Sequence, residues 1–366
     1  MQGEKTRVLV APLDWGLGHA TRCIPVIRAF LKNNCAVILA GDGHVENLLC
    51  REFPSLPFIK LKGYRIQYGN TKWKSLGKII MQIPKILKAI EEENHWLQDL
   101  LEKEKIDIVI SDNRYGLQHE SVYSLFITHQ LLIKTNLGKR ADLLLQKLNY
   151  QYINAFNACW VPDMEGRMTL AGDLAHPEKL PEIPVTFIGT LSRFTKTEKI
   201  YVEKHLLILL SGPEPQRTIF ENILMQQLTN YSSSVLFVRG LPASGDSISA
   251  PENVSVVNHL SAEKLQTTIL EASYVISRCG YSTLMDLMTL QKKSILIPTP
   301  GQTEQEYLAG HLMKNEMALC VTQKNFNLQT ALSKAASFPY RISDIETPSL
   351  LYNAIHDLLL RTKKAS

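Results

Sequence analysis

Residues 274–300 read YVISRCGYSTLMDLMTLQKKSILIPTP. The stretch opens on the β-rich YVIS and turns at Arg278-Cys279-Gly280. It then passes the hydroxyl pair Ser282-Thr283 into helical spacing and closes on a second β-rich run, SILIP. Strand, glycine turn, helix, strand is the unit from which parallel α/β sheets are built. The turn also matters chemically. Where a glycine turn feeds a helix, the first N–H groups have no intrahelical partner, and with the helix dipole they suit a phosphate. Arg278 would add charge, and Asp286, one turn on, could accept hydrogen bonds from ribose hydroxyls. The plain alternative is an ordinary strand–helix turn with a Ser/Thr cap.

The same alternation extends outward through the chain. In the first half RVLVAP, CAVILAG, FIKLKG, IDIVISD and SLFITH have strand composition, and CIPVIRAFLKN, VENLLCREF and the stretch from Lys78 to Lys105 have helical spacing. CWVPD and VTFIGTLSRF close that half. A second series runs through HLLILLSG, SVLFVRG, VSVVNHL, YVISRCG and SILIPTP, with helical RTIFENILMQQL and AEKLQTTILEA between them. Near-continuous apolar strands alternating with helices imply parallel sheets covered on both faces. The expected organisation is therefore two Rossmann-like domains, 1–192 and 193–340. A final helical segment, 341–366, is a candidate to return to the first domain. Open α/β sheets bind ligands beyond the carboxyl ends of their strands, so the loops at 14–19, 112–116, 129–130, 211–214, 278–283 and 298–305 are the informative ones.

Composition sets the outer limits. A chain of 366 residues, 45% hydrophobic and 20% charged, suits two globular domains. A net charge of +5 fits an anionic substrate or membrane surface as well as nucleic acid. The six cysteines are scattered, with no CxxC pair and no histidine at finger spacing, which argues against a zinc site or a disulfide framework. The N-terminal MQGEKTRVLVAP reads as a first strand, not a signal peptide, and no apolar run has the length of a bilayer span. A reduced, cytoplasmic protein is expected.

SRCGYSTLMDL followed by SILIPTPGQTEQEYLA resembles the nucleotide-sugar signature of GT-B glycosyltransferases, and is similar above all to glycosyltransferase family 28, the lipid II-forming N-acetylglucosaminyltransferases. GLGH near the start, FIGTLSRF and VVNHL extend the resemblance over both halves. It implies a GT-B fold, two Rossmann-like domains facing across a cleft, and a UDP-sugar as co-substrate with no other cofactor. By position it puts Asp286 on the uridine ribose and Gly280, Ser282 and Thr283 at the diphosphate. It puts the Leu260 amide on the uracil edge and Gln305 with Glu306 on the donor sugar. Glu306 departs from the family's glutamine pair. Ser211 and Gly212 correspond to a Gly/Ser turn at the phosphates, within the less glycine-rich SGPEPQR.

In LDWGLGHATRC (13–23), the resemblance implies that Gly16 and Gly18 let backbone approach the donor and that His19 deprotonates an acceptor hydroxyl. Imidazole, with a pKa near neutrality, suits that work. Asp112, ending IDIVISD, is the natural partner to fix its tautomer, as in the dyad of UDP-glucuronosyltransferase-like enzymes. The plain alternative is a helix-capping His19 and an Asp112 that merely starts a turn. His129, beside a glutamine where the family has an acid, is expected on the acceptor side, together with Arg114 and Tyr115 of SDNRYG; the plain alternative is that both stretches are well-satisfied loop residues. No DxD motif falls in a strand-end loop, so no metal is expected, and a single inverting displacement follows. Glu263 and Glu271 read as two surface residues of one helix face.

TKWKSLGKIIMQIPKILKAI (71–90) sets Lys72, Lys74, Lys78, Lys85 and Lys88 beside Trp73 and apolar residues, interrupted by Pro84. This is either a core-facing helix with a solvated lysine face or a segment that meets an anionic membrane. The expected activity is transfer of a sugar from a UDP-sugar to a glycan, lipid-linked or small-molecule hydroxyl. Three alternatives remain. GLGHATRC also resembles the GxGHxxRC stretch of the UDP-sugar hydrolase of pseudaminic acid synthesis, in which the histidine activates water. A non-hydrolysing UDP-GlcNAc 2-epimerase would need an acidic pattern that is not seen. A non-catalytic nucleotide-sugar sensor would have no use for His19.

Overall fold

The computed structural model describes residues 5–64, 72–135, 137–166, 169–199, 201–241, 245–246, 248–342 and 348–365, with backbone alone for 72–81, 83, 348 and 363–365. The chain divides into an N-terminal unit that runs to Ser192 and includes the C-terminal helix, and a C-terminal unit over 193–345.

The N-terminal unit runs β1 (Arg7–Pro12), α1 (Leu17–Lys32), β2 (Ala36–Gly41), α2 (His44–Glu52), β3 (Phe58–Lys60), α3 (Lys72–Lys103), β4 (Ile108–Asp112), β5 (Tyr123–Ile127), α4 (Lys139–Ile153), β6 (Ala158–Val161) and β7 (Val185–Phe187). Its strands form one parallel sheet in the order β3-β2-β1-β4-β5-β6-β7. Val8, Leu9 and Val10 of β1 face Val37, Ile38 and Leu39 of β2 on one side and Ile108, Val109 and Ile110 of β4 on the other. Helices on both faces bury these strands completely, which is why their sequences are apolar without alternation.

The C-terminal unit runs β8 (His205–Leu209), α5 (Gln216–Leu228), β9 (Val235–Val238), β10 (Val254–Val257), α6 (Ala262–Leu270), β11 (Ala272–Arg278), α7 (Tyr281–Thr289), β12 (Ser294–Ile297), α8 (Thr303–Lys314), β13 (Leu319–Cys320) and α9 (Leu328–Ser337). Its parallel sheet has the order β10-β9-β8-β11-β12-β13. Leu206, Ile208, Phe220, Phe237, Ile276 and Ile295 are among the residues of its core. The last helix, α10 (Pro348–Ala365), packs against α1 of the N-terminal unit, with Lys32 Nζ 4.7 Å from the centre of the Tyr352 ring. Each sheet reverses its strand order once, between β1 and β4 and between β8 and β11. Ligand sites of doubly wound sheets lie beside that reversal, at the strand ends.

Three details differ from the sequence reading. The two-residue edge strand β13 was not expected. Helix α1 begins at Leu17, six residues before the apolar spacing of CIPVIRAF. Helix α3 is continuous through Pro84. Pro84 is exposed, so the carbonyl that its missing N–H leaves unpaired can take water. In the basic segment 71–90, Thr71 and the side chains of Lys72, Trp73, Lys74 and Lys78 lie outside the described residues, whereas Lys85 and Lys88 are exposed. Among the described residues no helix is long and apolar enough to cross a membrane.

Candidate active site

Gly16 caps α1 at φ 83°, a left-handed conformation that favours glycine, and no side chain takes part in the cap. His19 therefore stands in the first turn, next to Gly18, whose carbonyl accepts from Thr21 Oγ1 at 2.9 Å. Arg22 and Cys23 follow three and four residues later on the same helix face. Pro12, ending β1, pairs with Asp112, ending β4, so this face of α1 meets Asp112.

The structure brings His19 and Asp112 together: His19 Nδ1 is 3.0 Å from Asp112 Oδ1. Asp112 is fully buried and held from several sides. Arg22 donates to it twice, from Nε to Oδ2 at 2.7 Å and from Nη2 to Oδ1, while Cys23 Sγ donates to Oδ2 at 3.5 Å. Burial by itself would raise the Asp112 pKa, but the Arg22 guanidinium and His19 outweigh it and hold the carboxyl well below the usual range. For His19, burial and then Arg22 lower the pKa, and Asp112 reverses only part of that. The His19 side chain keeps 15% of its surface, and Nδ1 is the ring nitrogen that faces Asp112.

His129 belongs to the same cluster and is not placed for an acceptor. It is 4% exposed, with Nδ1 3.0 Å from Arg22 Nη1, because β5 runs beside β4 and carries the following turn in behind Asp112. Arg114 also departs from expectation. It is fully enclosed, donating from Nε to Pro12 O at 2.9 Å and from Nη1 to Glu93 Oε1 at 2.6 Å and Lys62 O at 3.2 Å. Glu93 also accepts from Tyr64 Oη at 2.7 Å and Gly116 N at 3.1 Å. Tyr115 is used in packing, with its ring 5.0 Å from that of Phe126 and its hydroxyl donating to Asn149 Oδ1 at 2.8 Å. The loop that reads as polar and acceptor-facing is thus a bracket behind the His19 cluster.

In the C-terminal unit Gly280 precedes α7, and no side chain caps that helix. Ser282 and Thr283 are half-buried in its first turn. Asp286 is 6% exposed, and its Oδ2 accepts from Arg193 Nε at 3.3 Å. Sequence reasoning quoted FIGTLSRF without assigning Arg193, the cation that in fact stands beside Asp286. Arg278 is turned inward instead, 1% exposed, with its guanidinium 4.4 Å from the centre of the Phe220 ring and Nη2 donating to Gln216 O at 2.6 Å. Burial lowers its pKa to about 10.

Ser211 and Gly212 form the turn after β8, Gly212 at φ 103°. The start of α5 beyond it is already engaged, because Glu214 accepts from Thr218 N at 3.2 Å and from Arg217 Nε at 2.6 Å. Leu260, half-buried beyond β10, has an N–H with no intramolecular acceptor among the described residues. Gln305 and Glu306 hold their own loop: Gln305 Oε1 accepts from Thr299 N at 2.9 Å and Glu306 Oε1 from Gly301 N at 3.1 Å. Glu263 lies in the first turn of α6, and Glu271 pairs with Lys204 at 2.5 Å, as surface residues do. Among the described residues no three His, Cys, Asp or Glu side chains gather as metal ligands.

The glycosyltransferase family 28 C-terminal domain model matches residues 245–348, the part of the chain that contains Leu260, α7, Asp286 and Gln305. No curated protein sequence matches the chain. Solved structures resemble it over nearly its full length. The glycotransferase of kitacinnamycin is 15% identical with a TM-score of 0.69, covering 98% of this chain and 99% of its own. MurG of Acinetobacter baumannii is 16% identical at a TM-score of 0.55, covering 98% and 100%. UGT2 of Phytolacca americana, solved with UDP-2fluoro-glucose and pterostilbene, is 10% identical at 0.59, covering 98% and 94%. The chain therefore has the two-domain GT-B fold of these structures, and its residues 245–348 match the C-terminal domain of glycosyltransferase family 28.

Proposed function

We propose that this enzyme moves the sugar of a UDP-sugar to an acceptor hydroxyl, with inversion and without a metal. The observation that carries the reading is the His19 cluster: a partly accessible imidazole whose pKa burial and Arg22 lower, its Nδ1 against a buried aspartate. With Nδ1–H donated to Asp112, Nε2 has the lone pair and takes the proton of the acceptor hydroxyl. The alkoxide-like oxygen then attacks the anomeric carbon as the bond to the diphosphate breaks, and the leaving pair of electrons stays on UDP. Gly280, Ser282 and Thr283 at the uncapped start of α7 support charge on the diphosphate, Asp286 the ribose, and the Leu260 N–H the uracil. Gly16 and Gly18 permit close backbone approach, as does Gly212 after Ser211. Gln305 and Glu306 would have to release loop 299–302 to reach a donor sugar.

Peripheral contact with an anionic membrane surface draws support from α4 as well as from Lys85 and Lys88. Leu143, Leu144 and Leu148 of α4 are 48%, 62% and 45% exposed, and Lys139, Arg140 and Lys147 are exposed beside them. The helix's acid, Asp142, is occupied by Thr135. Apolar and basic side chains on one helix face suit an anionic interface, and the cytoplasmic leaflet is such a surface. Sedimentation with anionic vesicles tests it, and no binding at low salt ends it.

The test of function is a panel of UDP-, GDP-, ADP- and TDP-sugars, scored by thermal shift and by release of free nucleotide, on wild type, His19→Ala and Asp286→Ala, with and without EDTA. The expected result is stabilisation by one UDP-sugar, lost in Asp286→Ala and indifferent to EDTA. Absence of stabilisation by any nucleotide sugar refutes the donor assignment. Hydrolysis is the second reading, favoured by the contacts of Arg22 and Cys23, the last two residues of GHxxRC, with Asp112. UDP release without acceptor, abolished in His19→Ala, would select it.

A further inference from the structure

Four contacts of Arg22 in the cluster are distributed in a way that neither the dyad nor the donor site requires. Its guanidinium is 2% exposed. Nε and Nη2 grip both Asp112 oxygens, Nη1 lies 3.0 Å from His129 Nδ1, and Nη2 lies 2.9 Å from His19 Nδ1. A guanidinium in a protein has no lone pair to offer and does not lose its proton. His129 Nδ1 must therefore be the acceptor, with its proton on Nε2. His19 Nδ1 has two partners that demand opposite things, since Asp112 requires a proton there and Arg22 a lone pair. An uncharged imidazole meets either demand, one tautomer at a time, and neither demand requires an imidazolium; the tautomer with Nδ1–H on Asp112 is the one that leaves Nε2 able to accept a proton.

We propose that Arg22 is a positioning residue that takes up the Asp112 charge and thereby keeps His19 uncharged and able to accept a proton, while its Nη1 holds the His129 ring by Nδ1. The inference deepens the proposed role of His19 as base and rests on it for its catalytic meaning. The charged and titratable groups facing the cluster are His19, Arg22 and Cys23 from α1, Asp112 from β4 and His129 from the turn after β5. An aspartate beside a histidine would ordinarily favour the imidazolium. Here a cation with two bonds to that aspartate cancels the effect, and Asp112 is left to orient the ring.

The experiment is a pH titration of the histidine Cε1–Hε1 signals by NMR on the full chain, with His19 and His129 identified from His19→Gln and His129→Gln. In wild type His19 should titrate below the ordinary histidine value. In Arg22→Met, which keeps a linear side chain and removes the charge, it should rise by about 1–3 pH units, the usual effect of an unscreened opposite charge in contact. Arg22→Lys, a point charge without the planar fork, should give a smaller rise. The acid limb of the sugar-transfer rate should move in the same direction. An unchanged His19 titration in folded Arg22→Met overturns the proposal. Should neither Arg22 variant fold, the ¹⁵N shifts of His129 in wild type decide, because a protonated Nδ1 there is incompatible with the arrangement. These signals need no nucleotide sugar. If the titration moves as stated while no donor is turned over, the base assignment fails and the electrostatic role of Arg22 stands.

Discussion

Replacing Glu93 by Leu tests the bracket behind the candidate site. Glu93, 2% exposed on α3, is among the described residues the only carboxylate paired with fully buried Arg114, whose Nη2 has no partner among them. Burial raises the Glu93 pKa, and Arg114 with the hydrogen bonds from Tyr64 and Gly116 opposes the rise. Truncating one partner of a buried pair strands the other charge at a cost of about 3–5 kcal/mol. The Tyr64 hydroxyl and Gly116 N–H lose their acceptor as well, each worth about 1–3 kcal/mol if left unsatisfied. Relaxation and water entry reduce the sum, so the expected loss is at least about 3 kcal/mol, a large share of the roughly 5–15 kcal/mol of an ordinary domain. Urea unfolding followed by tryptophan fluorescence reads the right unit, since Trp15, Trp96 and Trp160, three of the four tryptophans, lie in the N-terminal unit. The double variant Glu93→Leu/Arg114→Met removes both charges and should recover more than half of the loss. A single-variant loss below about 1 kcal/mol, or a double variant no better than the single, would refute the reasoning.

Two further outcomes follow from the same geometry. At Gly63 an added Cβ runs into the Asp14 carboxylate, which accepts from Tyr64 N at 2.9 Å. Gly63→Ala should therefore lower the melting temperature by several degrees and weaken whatever the loop after β1 binds, whereas Gly16→Ala, which meets no atom, carries only the strain of φ 83°. His19 and Asp112 both have folded-state pKa values below their unfolded ones, so each contributes stability above its unfolded value and loses it as pH falls toward the folded one. Denaturation midpoints should fall from about pH 6.5 downward for His19 and again below about pH 4 for Asp112. His19→Gln should flatten the first decline and leave the second, which chemical denaturation across pH would show.

The twelve expected strands were legible because a parallel strand covered on both faces has to be apolar at nearly every position, a pattern that needs no partner to be recognised. Strand β13 has two residues and offers no such run. The start of α1 was hidden for the opposite reason: a glycine cap with no capping side chain looks like a loop. The approach of His19 to Asp112 was readable from strand ends alone, since β1 and β4 flank the order reversal. The fate of Arg114 was not. A charged residue in SDNRYG reads as solvent-facing, and its burial depends on Glu93, the last acid of the run Glu91-Glu92-Glu93, whose neighbours are exposed. Nothing local separates the third acid from the first two. Arg193 and Glu214 escaped in the same way, because each is defined by a partner distant in space or by a turn whose shape the residue types alone do not specify.

The Glu214 carboxylate has a consequence for selectivity. The glycine-containing turns after β8 and β11 both lead into helices, and at the first of them the protein supplies its own anion. A mobile phosphate approaching α5 has to displace a tethered competitor that also holds Arg217, whereas at α7 it meets no side-chain rival. The unit thus ranks two otherwise similar landing places before any ligand arrives. Neutralising position 214 would remove that competitor and leave the start of α5 as open to an anion as that of α7.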